Sequence, residues 1–385
     1  MRGTFARRII RWVLILPLLT GGAATAQDKP TRPTGEASPA PAAAAPGLRH
    51  KHKKVARYEI GSGPRSYWLF EPDEPKPARA PVVAFLHGWF SVNPAIYGAW
   101  IDHLVRTGHT VIFPRYQNDV GTLPRDFLPN ALFAIRDGLG VLAAGEGHVR
   151  PDLDRFALIG HSAGGNLAAQ VAAVAGDRRS GLPEVRAVVI VMPGEVVPRR
   201  EPKLSQIPET TLMVVAVGED DVVVGDLRAR QIYKQASAVP RSRKRYILFR
   251  SDRRGLPPLL ADHTAPTGSN TRLDNGEGFL RALQLNLGEV NAFDWAGFWR
   301  IADATLEAGF AGLTLDEAIT DEDAFTHLGY WSDGRRVNPP IISDDPANVP
   351  RVLLTNGIKI IPWEWPAPKT NDDAVAHASD EALAR

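Results

Sequence analysis

RFALIGHSAGGN, residues 155–166, begins with an apolar run and continues through a serine that has a glycine two residues away on each side. The run RFALIG predicts a short buried strand, and the small residues after Ser162 predict a helix that can pack closely on a sheet. The pattern Gly160-x-Ser162-x-Gly164 indicates a sharp turn between them, where backbones approach too closely for side chains at the glycines. Such a turn exposes the serine hydroxyl above the carboxyl end of the strand, so Ser162 is a candidate nucleophile.

Further apolar runs on both sides of this stretch predict more strands of the same sheet. They are PVVAFL (81–86), TVIFP (110–114), AVVIVM (187–192), TLMVVAVG (211–218) and RYILF (245–249), with helical patterns at 97–106, 129–144, 163–175 and 226–236. Continuous apolar strands that alternate with helices are typical of a parallel sheet covered on both faces. The predicted fold class is therefore α/β, with a mostly parallel, doubly wound sheet.

Composition excludes several classes of protein. Of 385 residues 44% are hydrophobic, and 45 Lys and Arg face 43 Asp and Glu, which indicates a globular protein and no nucleic-acid partner. The absence of cysteine excludes disulfides, thiolate metal sites and a cysteine nucleophile. No cluster of His, Asp and Glu has convincing metal-ligand spacing, so no metal is expected.

The N-terminus predicts export. Arg7 and Arg8 belong to a basic start, residues 12–19 form a short apolar run, and Ala24-Thr25-Ala26 forms a cleavage site, so residues 1–26 are predicted to be a signal peptide. The apolar run is shorter than the ~20 residues that a membrane span needs, so no integral span is expected after cleavage, although an uncleaved anchor is the alternative. The expected location is periplasmic or secreted, by the general or the twin-arginine route.

The rest of the chain divides into three predicted parts. Residues 27–54 form a linker rich in Pro and Ala that ends in a basic run, and residues 55–310 form the main domain. Residues 311–385 form a C-terminal extension that ends in a disordered acidic tail. The alternatives for this extension are a cap over the pocket and extra packing alone. Just before it, residues 291–306 place Trp295, Trp299 and neighbouring apolar side chains on one helical face, which predicts a core helix; a Trp-lined ligand wall is the alternative.

A serine nucleophile needs a base and an acid that orients the base. The loop after RYILF carries His263, the candidate base, whereas His87, after PVVAFL, is expected to orient its own loop. After TLMVVAVG come consecutive acids, of which Asp221 is favoured by its spacing from the strand end. Asp220 and Glu195, which follows AVVIVM, are the alternatives.

The runs FLHGW, GHSAGG, VGEDD and DHTAP, within residues 58–310, resemble those of exported α/β-hydrolases. The nearest resemblance is to chlorophyllase-like and dienelactone-hydrolase-like serine esterases. It implies a catalytic triad of Ser162, Asp221 and His263, an acyl-enzyme mechanism and no cofactor. By the same resemblance, the oxyanion-binding amides are those of Trp89 and Ala163.

The expected activity is hydrolysis of a small-molecule or lipid-like carboxylic ester. A thioesterase or peptidase would use the same triad, and a non-catalytic envelope-binding protein on this fold is an alternative from another class. The doubled acid and the long C-terminal extension depart from the family pattern, so the orienting acid and the substrate pocket are the least determined parts of the site.

Overall fold

The computed structural model describes residues 50–119, 121–196, 200–278, 281–286 and 288–353. The predicted signal peptide, most of the predicted linker and the predicted acidic tail lie outside the described residues.

A mixed sheet forms the centre of the described part of the chain, with the strand order β1-β2-β4-β3-β5-β6-β7-β8-β9. Strands β3 to β8 run parallel, whereas β1, β2 and β9 are antiparallel to their neighbours. This arrangement confirms the predicted fold class. The strands are β1 Lys54–Ile60, β2 Tyr67–Asp73, β3 Arg79–Leu86, β4 Thr110–Pro114, β5 Arg150–His161, β6 Val185–Val191, β7 Leu212–Gly218, β8 Lys244–Phe249 and β9 Ile341–Ser343.

Helices cover both faces of the sheet, with α2, α3 and α4 on one face and α1 and α6 on the other. Alternate residues of each central strand enter the two cores: Val82 and Ala84 pack on the first face, and Val83 and Phe85 on the second. This double burial explains why the strands appear in the sequence as unbroken apolar runs. The helices are α1 Gly98–Thr107, α2 Pro124–Ala144, α3 Ala163–Ala175, α4 Leu227–Gln235, α5 Arg281–Leu285, α6 Trp299–Ala311, α7 Leu315–Ala318 and α8 Glu322–Phe325.

Helix α2 begins five residues before its predicted start. Its first residue is Pro124, and Pro129 lies inside the helix. Proline favours the first helical position, and Pro124 rather than Pro129 occupies it in the structure. Among the described residues α2 alone is long and apolar enough to span a membrane, but half of its apolar window is buried inside the protein, as expected for a core helix.

The sheet extends beyond the predicted strands at both edges. Strands β1 and β2 precede the first predicted strand, and β9 comes from the predicted C-terminal extension and pairs with the edge strand β8. The basic run before β1 is not fully solvated, because His52 is buried and its Nδ1 lies 2.6 Å from the Pro75 carbonyl oxygen. The helix predicted over 291–306 starts as one π-helical stretch, Phe293–Phe298, and continues as α6 with its apolar face in the core.

Candidate active site

Ser162 occupies a strained turn between β5 and α3. Its backbone has φ 57° and ψ −124°, a combination that a residue with a side chain rarely adopts. The flanking glycines make this turn possible, since a Cβ on Gly160 would overlap the Gly164 carbonyl and a Cβ on Gly164 would overlap the Leu86 carbonyl. The predicted reason for the glycines, close backbone approach, is confirmed.

The structure brings the three predicted triad residues together. Ser162 Oγ lies 2.9 Å from His263 Nε2, and His263 Nδ1 lies 2.8 Å from Asp221 Oδ2. The Asp221 side chain is fully buried, and its other oxygen accepts hydrogen bonds from the amides of Val223 and Val224, both at 3.0 Å. These two amides hold the carboxylate in one orientation, so Asp221 Oδ2 is kept facing His263 Nδ1.

The other candidate acids face elsewhere. Asp220 accepts a hydrogen bond from Ser251 Oγ and pairs with Arg253 at 2.6 Å, and it neither points freely into solvent nor caps a helix. Glu195, after β6, is exposed. Geometry therefore favours Asp221 among the three acids.

Residues from the C-terminal part of the chain brace the loop that carries His263. The Trp331 Nε1–H donates to Asp252 Oδ2 at 2.9 Å, and the Asn338 amide N–H donates to the same oxygen at 3.1 Å. The Asn338 side chain also donates to the Ser251 carbonyl at 2.9 Å. This part of the predicted extension therefore supports the loop that positions the base.

A family model of the alpha/beta hydrolase fold matches residues 83–284, just over half of the chain. The chain belongs to the alpha/beta hydrolase family. No curated protein matches it. In this hydrolase the matched region contains the turn at Ser162 and the loops that carry Asp221 and His263.

In this hydrolase both predicted oxyanion amides belong to segments that lie next to Ser162. A Cβ on Gly88 would lie 3.3 Å from Ser162 Cβ, so the turn that contains Trp89 packs directly against the nucleophile. Within the described residues the Trp89 N–H donates to no acceptor. The Ala163 N–H is the first of α3 and has no partner inside the helix. Neither amide therefore has a protein acceptor among the described residues.

His87 is unsuited to be the base of this hydrolase. It is fully buried, stacks on Tyr116 with 4.1 Å between ring centroids, and places its ring nitrogens 2.6 and 2.8 Å from the Gly88 and Arg115 carbonyl oxygens. Burial lowers the pKa of His87 to about 4. These contacts match its predicted role of orienting the loop.

Sequence reasoning missed two side chains that contact the loop containing Trp89. The buried Gln117 accepts a hydrogen bond from the Phe90 amide at 2.8 Å, and the buried Tyr97 hydroxyl accepts one from the Gly88 amide, also at 2.8 Å. Tyr97 was predicted only as the first residue of a helix. Neither residue belongs to a motif, so nothing local in the sequence indicates these contacts.

No metal centre accompanies this arrangement within the described ranges, since no group of three or more His, Cys, Asp or Glu side chains there could hold a metal ion. The site contains a hydroxyl in contact with an imidazole, a buried carboxylate behind the imidazole, and two amides without an acceptor in the part of the chain that the structure describes.

Proposed function

We propose that this hydrolase is an exported serine hydrolase that cleaves carboxylic esters through an acyl-enzyme intermediate. The single observation that carries the proposal is the hydrogen-bonded series from Ser162 Oγ through His263 to Asp221, at 2.9 and 2.8 Å. A hydroxyl within reach of an imidazole whose other nitrogen faces a buried carboxylate is the arrangement that activates a serine.

In the proposed mechanism Ser162 Oγ attacks the ester carbonyl carbon while His263 Nε2 takes the hydroxyl proton. The carbonyl oxygen becomes an oxyanion that accepts hydrogen bonds from the Trp89 and Ala163 amides. As the bond to the alcohol breaks, His263 returns its proton to the departing oxygen. Water then attacks the acyl-enzyme with His263 again as the base, and the acid and free Ser162 are released. Asp221 holds the ring orientation throughout.

Exposed apolar side chains support an ester with an apolar part. Val222 and Val223 are 44% and 57% exposed beside Asp221, and Leu256 and Leu260 are 52% and 38% exposed on the loop before His263. Aliphatic groups on the loops that carry the triad favour a small-molecule or lipid-like acyl group, in keeping with the resemblance to chlorophyllase-like and dienelactone-hydrolase-like esterases.

The test of this activity is a panel of aryl esters of increasing acyl length, with aryl thioesters and anilides of the same acyl groups. We expect turnover of the esters by the wild-type protein and a loss of ~10⁴-fold or more in kcat for Ser162→Ala. Ser66→Ala is the matched control, because Ser66 is also buried but its hydroxyl donates to the Gly63 carbonyl at 2.7 Å. Preferred turnover of thioesters or anilides would change the assigned substrate class, and unchanged turnover in Ser162→Ala would refute the proposal.

Export is proposed on the tripartite start of the sequence alone. Intact-mass analysis of the envelope fraction should show a chain that begins at Gln27. A full-length chain retained in the cytoplasm would contradict this part of the proposal.

A further inference from the structure

The Tyr97 hydroxyl lies at the point where the turn containing Gly88 meets the serine turn. It is fully buried, and it lies 2.8 Å from both the Gly88 amide nitrogen and His161 Nδ1. A Cβ on Gly88 would lie 3.0 Å from this hydroxyl, 3.3 Å from Ser162 Cβ and 3.4 Å from His161 Nδ1. Tyr97, His161 and Ser162 therefore all lie close to Gly88, and Gly88 and Ser162 each directly precede a residue whose amide is predicted to bind the oxyanion.

The Tyr97 hydroxyl forms two hydrogen bonds, and the chemistry of the groups fixes the direction of the one to Gly88. The Gly88 N–H can only donate, so the Tyr97 oxygen accepts there and its own proton is free for another partner. Burial, together with the neighbouring His263, holds the pKa of His161 well below its usual range, so His161 is neutral. The Tyr97 hydroxyl forms its second hydrogen bond with His161 Nδ1, at 2.8 Å.

Hydrogen bonds restrain both peptides that flank Gly88. The peptide before it is held through its carbonyl by the Tyr116 hydroxyl and through its N–H by Tyr97. In the peptide after it, the Gly88 carbonyl accepts from the Ser91 amide at 3.0 Å. In a trans peptide the N–H points opposite to the carbonyl, so this bond also sets the direction of the Trp89 N–H. Glycine is the residue at which such a turn rotates most easily, so these bonds restrain its least rigid position.

We infer that Tyr97 is a positioning residue, whose hydroxyl fixes the Trp89 amide for the oxyanion and ties it to the serine turn through His161. The inference rests on the proposed function. Without the hydroxyl, the Gly88 amide loses its buried acceptor while the bond from the Ser91 amide still restrains the turn, so the Trp89 N–H is held less firmly where the oxyanion forms.

The test compares Tyr97→Phe with Tyr246→Phe, each assayed on an aryl ester and on the corresponding thionoester. Tyr246 is a matched control, because its hydroxyl is also buried but has no hydrogen-bond partner among the described residues, and it lies on the opposite face of the sheet. The thionoester develops its charge on sulfur, which accepts hydrogen bonds more weakly than oxygen, so it depends less on the oxyanion amides.

We expect Tyr97→Phe to lower kcat for the oxygen ester by about 10- to 100-fold, less than outright removal of an oxyanion donor, with KM changed by less than about threefold. The loss on the thionoester should be less than about threefold, and Tyr246→Phe should match the wild type on both substrates. The ratio of the two activities does not depend on the fraction of folded protein. Equal losses on both esters, or wild-type kcat in Tyr97→Phe, would overturn the inference.

If Tyr97→Phe gives no soluble protein, His161→Leu serves as the second variant, since it removes the imidazole that is hydrogen-bonded to Tyr97 and leaves the hydroxyl in place. It should show a smaller loss with the same preference for the oxygen ester, and an equal loss on both esters would count against the inference. Ser162→Ala separates the two claims: if it stays active the proposed function fails, whereas a dead Ser162→Ala beside a fully active Tyr97→Phe refutes the positioning role alone.

Discussion

Asp221 and Asp220 are consecutive in the chain, but their carboxylates face different partners. Asp221 Oδ2 lies 2.8 Å from His263 Nδ1, whereas Asp220 pairs with Arg253 at 2.6 Å. Strand β7 ends at Gly218, and the chain then turns, with the Asp221 N–H donating to the Gly218 carbonyl at 3.2 Å, so the two adjacent carboxylates leave this turn toward different partners. The doubled acid therefore provides one residue for the site and another that anchors the loop after β8.

Replacing each acid with asparagine tests this division. Asp221→Asn keeps the size of the side chain but favours the wrong histidine tautomer, and we expect kcat to fall by about 10⁴-fold with little change in melting temperature. Asp220→Asn is the control and should lose less than about tenfold, because its contacts do not reach the imidazole. The opposite ranking in ester-hydrolysis assays would transfer the role to Asp220, and near-normal activity in both would point to Glu195.

Removal of the imidazole tests the base. His263→Ala should lose most of the esterase activity, because no other described side chain lies within hydrogen-bond distance of Ser162 Oγ, and added imidazole should restore part of it. His327→Ala is the control, since His327 is half-buried and belongs to the predicted C-terminal extension. Wild-type activity in His263→Ala would refute the assignment. A larger loss of activity in His87→Ala than in His263→Ala would also refute it.

The sequence predicted the parts of the molecule that depend on local patterns. The six parallel strands appear as apolar runs because both faces of each are buried, and the turn at Ser162 is marked by glycines that no other residue can replace. Strand β9 has three half-buried residues, too few for a pattern, and it pairs with β8 across a long stretch of chain. The bond from Gly88 to Tyr97 is likewise a tertiary contact without a local signature.

A methyl group added at the serine turn should disrupt the fold. A Cβ on Gly164 would overlap the Leu86 carbonyl, so β3 or α3 must move, and we expect Gly164→Ala to lose about 3 kcal/mol or more of unfolding free energy, or to be insoluble. Gly140 lies in α2 with no atom within 4 Å of an added Cβ, so Gly140→Ala should gain about 0.5–1 kcal/mol. Urea unfolding measures both changes, and equal stability of the two variants would contradict the packing described for the turn.

Buried neutral histidines predict a loss of stability in mild acid. Burial lowers the pKa of His87 from 6.5 to about 4, so the unfolded chain binds the proton more readily than the folded one. The contribution of neutral His87 to the free energy of unfolding is complete above pH 6.5. It decreases as the pH falls below 6.5 and is lost as the pH falls through about 4. We expect the free energy of unfolding to be about 2 kcal/mol lower at pH 5 than at pH 8 from this residue, and the lowered pKa values of His109 and His161 act in the same direction.

Urea titrations at several pH values check this prediction, with His87→Gln as the comparison. The variant should show a flatter dependence of stability on pH between about 4 and 6.5. An identical slope in the variant and the wild type would show that His87 does not stay neutral in the folded protein.

The central claim is that Ser162 is a nucleophile activated by His263. Its most direct test is peptide mass spectrometry after reaction of the purified protein with a fluorophosphonate, which bonds covalently to an activated serine. The account predicts one adduct, on the peptide that contains Ser162, that is absent from Ser162→Ala and strongly reduced in His263→Ala. Labelling of Ser162→Ala at the wild-type rate, or no adduct on Ser162 in the wild-type protein, would contradict it.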